Sequence, residues 1–140
     1  MNLKKALKEK KKLQGIINNL EKKIIKYNLV EDGEDNLYNT RLLYDELRNR
    51  IEEIVFLKSK IHAANVPIFD KIFRLSELKS LARMIQYFNC EPRKEINGTV
   101  VNKLLPVINA LDRDIMVKNI ETEIEDIHDF LDNYNQLTLI

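Results

Sequence analysis

The residues best suited to hold a metal ion are Glu125 and His128, set in Glu125-Asp126-Ile127-His128. A Glu-x-x-His spacing places both side chains on one helix face, and helical bundles use two such pairs with two further carboxylates to bind two metals. Here the spacing occurs once. His62, the other histidine, follows Lys58 and Ser59 rather than an acid, and Cys90 is the lone cysteine. There is no CxxC, HExxH or GxSxG and no glycine-rich phosphate loop, so nucleophilic, zinc-hydrolytic and nucleotide chemistry lack their usual residues. The residues therefore describe a chain that is not an enzyme and calls for no cofactor. A carboxylate-rich metal-binding bundle around Glu125 and His128 stands as an alternative.

The second kind of chemistry is electrostatic. The formal net charge of +1 hides two opposite ends: residues 1–27 carry nine lysines against Glu9 and Glu21, or +7, and residues 112–133 carry eight acids against Arg113 and Lys118, or −6. Lys4, Lys5, Lys8, Lys11 and Lys12 could follow a phosphate backbone by displacing its counterions. The same segment has no arginine to read a base edge, and its only aromatic, Tyr27, lies at its far end. A solvated lysine face is the commoner meaning of such a run, and an acidic closing helix lying beside it would screen it. Nucleic-acid binding is thus the first alternative, ahead of the metal-binding bundle, and not the leading reading. Outside the helical segments, Arg93-Lys94-Glu95 forms a polar cluster expected in a loop, a place where binding residues concentrate.

The elements that position these groups are helices. Leu3, Ala6, Lys10, Leu13, Ile17, Leu20, Ile24 and Tyr27 alternate at three- and four-residue spacings, which predicts an amphipathic helix over 3–27 with a seam broken only by Lys10. Glu31-Asp32-Gly33-Glu34-Asp35 ends it in a turn. A second helix is expected from Asn39 or Thr40 to Asn65, with Tyr44, Leu47, Ile51, Ile54, Lys58 and Ile61 as its seam and Leu43, Val55 and Leu57 widening the apolar face. After Pro67 comes the most apolar segment, Ile68 to Phe88, expected to be the most buried helix. It either centres the monomer or forms a subunit interface. Asn97-Gly98 between β-branched residues signals a turn or short hairpin near residues 90–101, with an ordered turn preferred because a lone hairpin is marginal. The fourth helix is expected to start at Asn102 as N-cap. Its seam runs Ile108, Leu111, Ile115 and then, after a phase slip near Val117–Asn119, Ile120, Ile124, Ile127, Leu131 and Tyr134. The closing Leu137-Thr138-Leu139-Ile140 should pack back or pair.

Several of these pieces, taken in order, resemble the septicolysin-like proteins of bacteria: LKKALKEKKKLQGIINNLEKKI, KIHAANV, the apolar helix after it, RKEIN followed by TVVN, and the Tyr134-Asn135 and Leu-Thr-Leu ending. The family pattern has lysine where this chain has Asn97, Thr-Val-Asp where it has Thr99-Val100-Val101-Asn102, and a tryptophan near its end that is absent here. The resemblance implies a helical organisation and, by the family's name, a cytolysin; the sequence offers neither a secretion-type apolar leader nor a membrane-inserting run to match it.

With 44% hydrophobic and 32% charged residues, three glycines and three prolines in 140 residues, composition agrees with a soluble helical chain. The expected architecture is all-α: one helical domain over 1–140, a four-helix bundle with long antiparallel coiled-coil-like helices. The expected setting is cytoplasmic and away from membranes. The expected role is structural or protein-interacting, through self-association into a homo-oligomer, with any other protein partner unidentified.

Overall fold

The computed structural model describes residues 1–35 and 38–140. The chain is mostly helical: α1 (Leu3–Tyr27), α2 (Thr40–Asn65), a 3₁₀ turn (Val66–Ile68), α3 (Phe69–Gln86), β1 (Arg93–Asn97), β2 (Val100–Leu104) and α4 (Ala110–Leu137). Backbone contacts divide it into two compact units, one of Met1–Pro67 with Tyr134–Ile140 and one of Ile68–Asn133.

In the first unit, α1 begins where expected because Asn2 sits in extended conformation and its side chain accepts a hydrogen bond from the Lys5 amide at 2.9 Å. Asn39 does the same for α2 through the Leu42 amide at 3.3 Å. Between the helices, Glu34 N–H donates to the Glu31 carbonyl at 3.0 Å, and Gly33 takes φ +83°, which a type II turn requires at its third residue. The Thr40 hydroxyl then donates to the Tyr27 carbonyl at 3.1 Å, fixing the start of α2 beside the end of α1.

The core of this unit is made of Leu3, Ala6, Leu13 and Ile17 from α1 and Ile54, Leu57 and Ile61 from α2. Each buried leucine or isoleucine contributes roughly 1.5–3 kcal/mol by leaving water. The seam of α1 is the expected one. In α2 the expected Ile54, Leu57 and Ile61 are buried, while Lys58 of the expected seam and the expected Tyr44 and Val55 stay exposed. A leucine one position from a lysine takes the core place because burying the ammonium costs far more than rotating the seam slightly.

The far end of the hairpin is closed by the last residues of the chain. Leu3 N–H donates to the Thr138 carbonyl at 2.8 Å, Ile140 N–H to the Met1 carbonyl at 3.1 Å, and Asn2 and Leu139 form an antiparallel bridge. Tyr134 donates its hydroxyl to the Ala64 carbonyl at 2.7 Å, satisfying one of the last carbonyls of α2 that the helix itself leaves open. The apolar tail therefore packs back, as expected, with Ile140 and Tyr134 lying against the core. Two helices joined at Tyr27–Thr40 and gathered by this tail at Leu3 and Ala64 run antiparallel.

The second unit departs more from expectation. α3 is not the most buried helix: Ile85 is its one buried residue, while Phe73, Leu81 and Met84 are exposed. Its apolar residues are distributed around the whole circumference, so covering the Phe69, Ile72, Leu75, Leu78 and Ala82 side leaves the rest in water. α4 begins at Ala110, not after Asn102. Asn109 caps it by accepting from the Asp112 amide at 2.8 Å, and Asn102 pairs with Glu95 across a hairpin. Pro106 is the reason, since its ring and missing N–H oppose helix at and before it. With the later start the phase slip disappears. Met116, Val117, Ile120, Ile124, Ile127 and Leu131 form one stripe, and Leu111 and Ile115 fall outside it.

β1 and β2 form a two-stranded antiparallel hairpin in the register Asn97 to Val100 and Arg93 to Leu104, where an ordered turn was the preferred expectation. Its two-residue loop is Gly98-Thr99 rather than Asn97-Gly98. Gly98 has φ +65° and no described non-glycine residue has a positive φ, so the turn is of type II′, with glycine first. The Ile96–Val101 cross-strand pair supports it, and Lys94 facing Lys103 weakens it.

Gly15 and Gly98 have nothing within 4 Å of where a Cβ would stand, yet alanine should act oppositely at the two. Gly15→Ala should stabilise helical α1 by roughly 1 kcal/mol, seen as a raised denaturation midpoint. Gly98→Ala should cost roughly 1–2 kcal/mol from its left-handed φ alone, seen as faster amide exchange across β1 and β2. In the core, Leu13→Ala or Ile54→Ala should lower stability by about 2–5 kcal/mol in urea unfolding, whereas Ile25→Ala, at an exposed position, should change it by less than about 0.5 kcal/mol.

Candidate functional site

Glu125 and His128 lie one turn apart on α4, both exposed. No group of three or more His, Cys, Asp or Glu side chains among the described residues is placed to hold a metal ion. Two ligands from one turn leave a zinc-like ion with half of its usual tetrahedral set. His62 stands in the last turn of α2. Cys90, a free and half-buried thiol, lines an open groove of about 290 Å³ with Phe88, Asn89, Glu91, Ala110 and Arg113.

Arg93, Lys94 and Glu95 are strand residues rather than a loop cluster. The alternation of β1 sends Arg93 and Glu95 to one side and Lys94 to the other, so the three do not converge on one ligand. What pairing adds is Lys103 directly opposite Lys94. This pairing is not legible from local pattern, because the register depends on which residues occupy the turn.

A groove of about 490 Å³, open to solvent, is lined by Gln86, Arg113, Asp114, Val117, Lys118 and Glu121. Arg113 pairs there with Asp114 at 3.4 Å. Its lining is of mixed charge, with the Asp114 and Glu121 carboxylates beside Arg113 and Lys118. On α2, the hydrogen bond from the Arg48 guanidinium to the Tyr44 hydroxyl, at 3.4 Å, holds the arginine further above its already high pKa. An arginine so held is charged throughout the physiological range and supplies neither acid nor base.

Lys4, Lys5, Lys8, Lys11 and Lys12 are all exposed on α1. The helix continues unbroken through Lys22, Lys23 and Lys26, which are exposed on the same side and extend the five expected contact lysines. The signal was present in the numbering: positions eighteen apart on a helix of 3.6 residues per turn share a direction. Among the described residues no ion pair involves these lysines. Lys23 and Lys26 lie over the rings of Tyr38 and Tyr27, at 5.1 and 5.2 Å.

No described helix is long and apolar enough to cross a membrane.

The isolated Glu125/His128 pair leads to a direct expectation. Zinc or manganese titrated into the protein should give no stoichiometric complex by calorimetry, and His128→Ala should leave the melting temperature unchanged. A one-to-one complex lost in His128→Ala would establish a metal role for this turn.

Comparison of the chain with protein-family models, with curated proteins and with solved structures found no match.

Proposed function

We propose that this protein is a non-catalytic helical scaffold that works through self-association, its second unit meeting a second copy of the chain. The observation that carries this reading is the run of exposed apolar side chains from the hairpin into α4. Val107 is 100% and Leu105 71% exposed, and Ile96, Val101, Leu111 and Ile115 are exposed with them. Every residue of β1 and β2 is exposed as well. A two-stranded ribbon in water is marginal by itself, and two such ribbons joined edge to edge make a four-stranded sheet. A two-fold pairing of this kind presents the same patch from both copies.

Association also gives the exposed Phe73, Leu81 and Met84 of α3 an apolar neighbour. Completion of a four-helix bundle with coiled-coil-like seams belongs to this proposal, as does a cytoplasmic setting. The resemblance to the septicolysin-like proteins rests on the residues quoted for it and adds no activity to the scaffold role.

Sedimentation equilibrium tests the reading. The wild-type chain should gain mass with concentration, and Leu105→Asp with Val107→Asp should remain monomeric with unchanged helical circular dichroism, since both positions are already in water. A wild-type chain that stays monomeric up to about 1 mM, where association worth only about 4 kcal/mol is half complete, would remove self-association from the account.

A further inference from the structure

We infer that the outer face of α1 is a binding surface for the phosphate backbone of double-stranded nucleic acid, used without reading base sequence. Lys22, Lys23 and Lys26 repeat the directions of Lys4, Lys5 and Lys8 because eighteen residues make five full turns. With Lys12 between these directions and Lys11 just beyond one edge, the lysines occupy an arc of roughly 120°, centred opposite the Leu13 and Ile17 side. From Lys4 to Lys26 the stripe is roughly 33 Å long at 1.5 Å per residue. Glu9 and Glu21 fall outside that arc, so no acid interrupts it.

Packing makes the surface permanent. The buried side of α1 faces the core that it shares with α2, which turns the lysines outward, and the helix is fixed at both ends by the Thr138 and Thr40 contacts. The midpoint of the stripe is Gly15, with nothing within 4 Å of where a Cβ would be, so a duplex can approach the backbone closely there. Contact of Lys23 and Lys26 with tyrosine rings orients these ammonium groups and leaves their charge in place.

The chemistry of the stripe selects the partner class. A lipid surface is disfavoured because the apolar side of α1 is already used in the core and cannot enter a bilayer interface. A folded acidic protein is disfavoured because the arc lacks the arginine and aromatic anchors on which protein interfaces depend. Flexible point charges along a straight line suit a linear polyanion, where affinity comes from released counterions and no base is contacted. This inference uses the first unit and does not depend on self-association through the second.

The test is fluorescence anisotropy of the full-length chain with two labelled duplexes of unrelated sequence, titrated at several salt concentrations. Both duplexes should bind equally. The eight lysines together should give a slope of log affinity against log salt of roughly −7. Replacing Lys4, Lys8 and Lys12 together by glutamine, a residue of similar helix propensity, should make that slope shallower by roughly 3, with circular dichroism unchanged. Lys58→Gln with Lys60→Gln, on α2, should leave it unaltered. Absence of salt-dependent binding at low ionic strength, equal loss in the α2 variant, or lysine-dependent binding to phosphatidylserine vesicles without duplex binding would each overturn the inference.

Discussion

A helix as charged as α1 persists in a folded chain only while its one apolar stripe is covered, and that constraint organises the first unit. Leu3, Ala6, Leu13 and Ile17 present a narrow seam, and the α2 side chains Ile54, Leu57 and Ile61 fill it. Neither helix has a second way to bury these groups. The charges on the outer face contribute little to this pairing: the described ion pairs of α2, Arg50 with Glu46 and Glu53, are surface contacts within one helix.

Helix pairs of this length are vulnerable where their ends meet water, and the closing residues address that weakness. The Asn2 side chain accepts from the Lys5 amide and also donates to the Gln136 carbonyl at 3.2 Å, so a single residue both caps α1 and ties it to the end of α4. The Tyr134 hydroxyl does the corresponding work on α2 through Ala64. Leu3 and Ala6 are fully buried as a result. One end of the hairpin thus becomes a three-way junction of a helix start, a helix end and a short bridge. The Leu3, Lys5 and Ile140 amides are each paired there, as burial of backbone groups requires.

The second unit is organised differently. Its buried residues Ile68, Ile85, Ile120 and Ile127 are few, and much of its apolar surface remains in water. Its hairpin holds its shape through a glycine turn and a β-branched pair while opposing two lysines. An element of this kind gains more from a partner than from its own chain, which is why the proposed association is placed here. The lysine stripe belongs to the other unit and is held by a well-filled core, an arrangement suited to presenting charge at fixed spacing.

Periodicity alone determined the existence and limits of α1 and α2, the identity of most of their buried residues, and the turn at Gly33, because a 3.6-residue repeat and a capping asparagine are local properties of the chain. It also placed the lysines outward as far as Lys12. Choices between near-equivalent neighbours were left to tertiary packing: Leu57 against Lys58, Met116 and Val117 against Leu111 and Ile115. A shift of one position costs little until a partner surface fixes the rotation of the helix. The start of α4 and the register of β1 on β2 follow from Pro106 and Gly98, whose local effects prevail over the competing Asn102 cap and Asn97-Gly98 turn once the two strands pair. The face-to-face lysines of the hairpin and the junction of Asn2, Ala64 and Tyr134 arise only when residues remote in the chain meet, and these features belong to the tertiary structure.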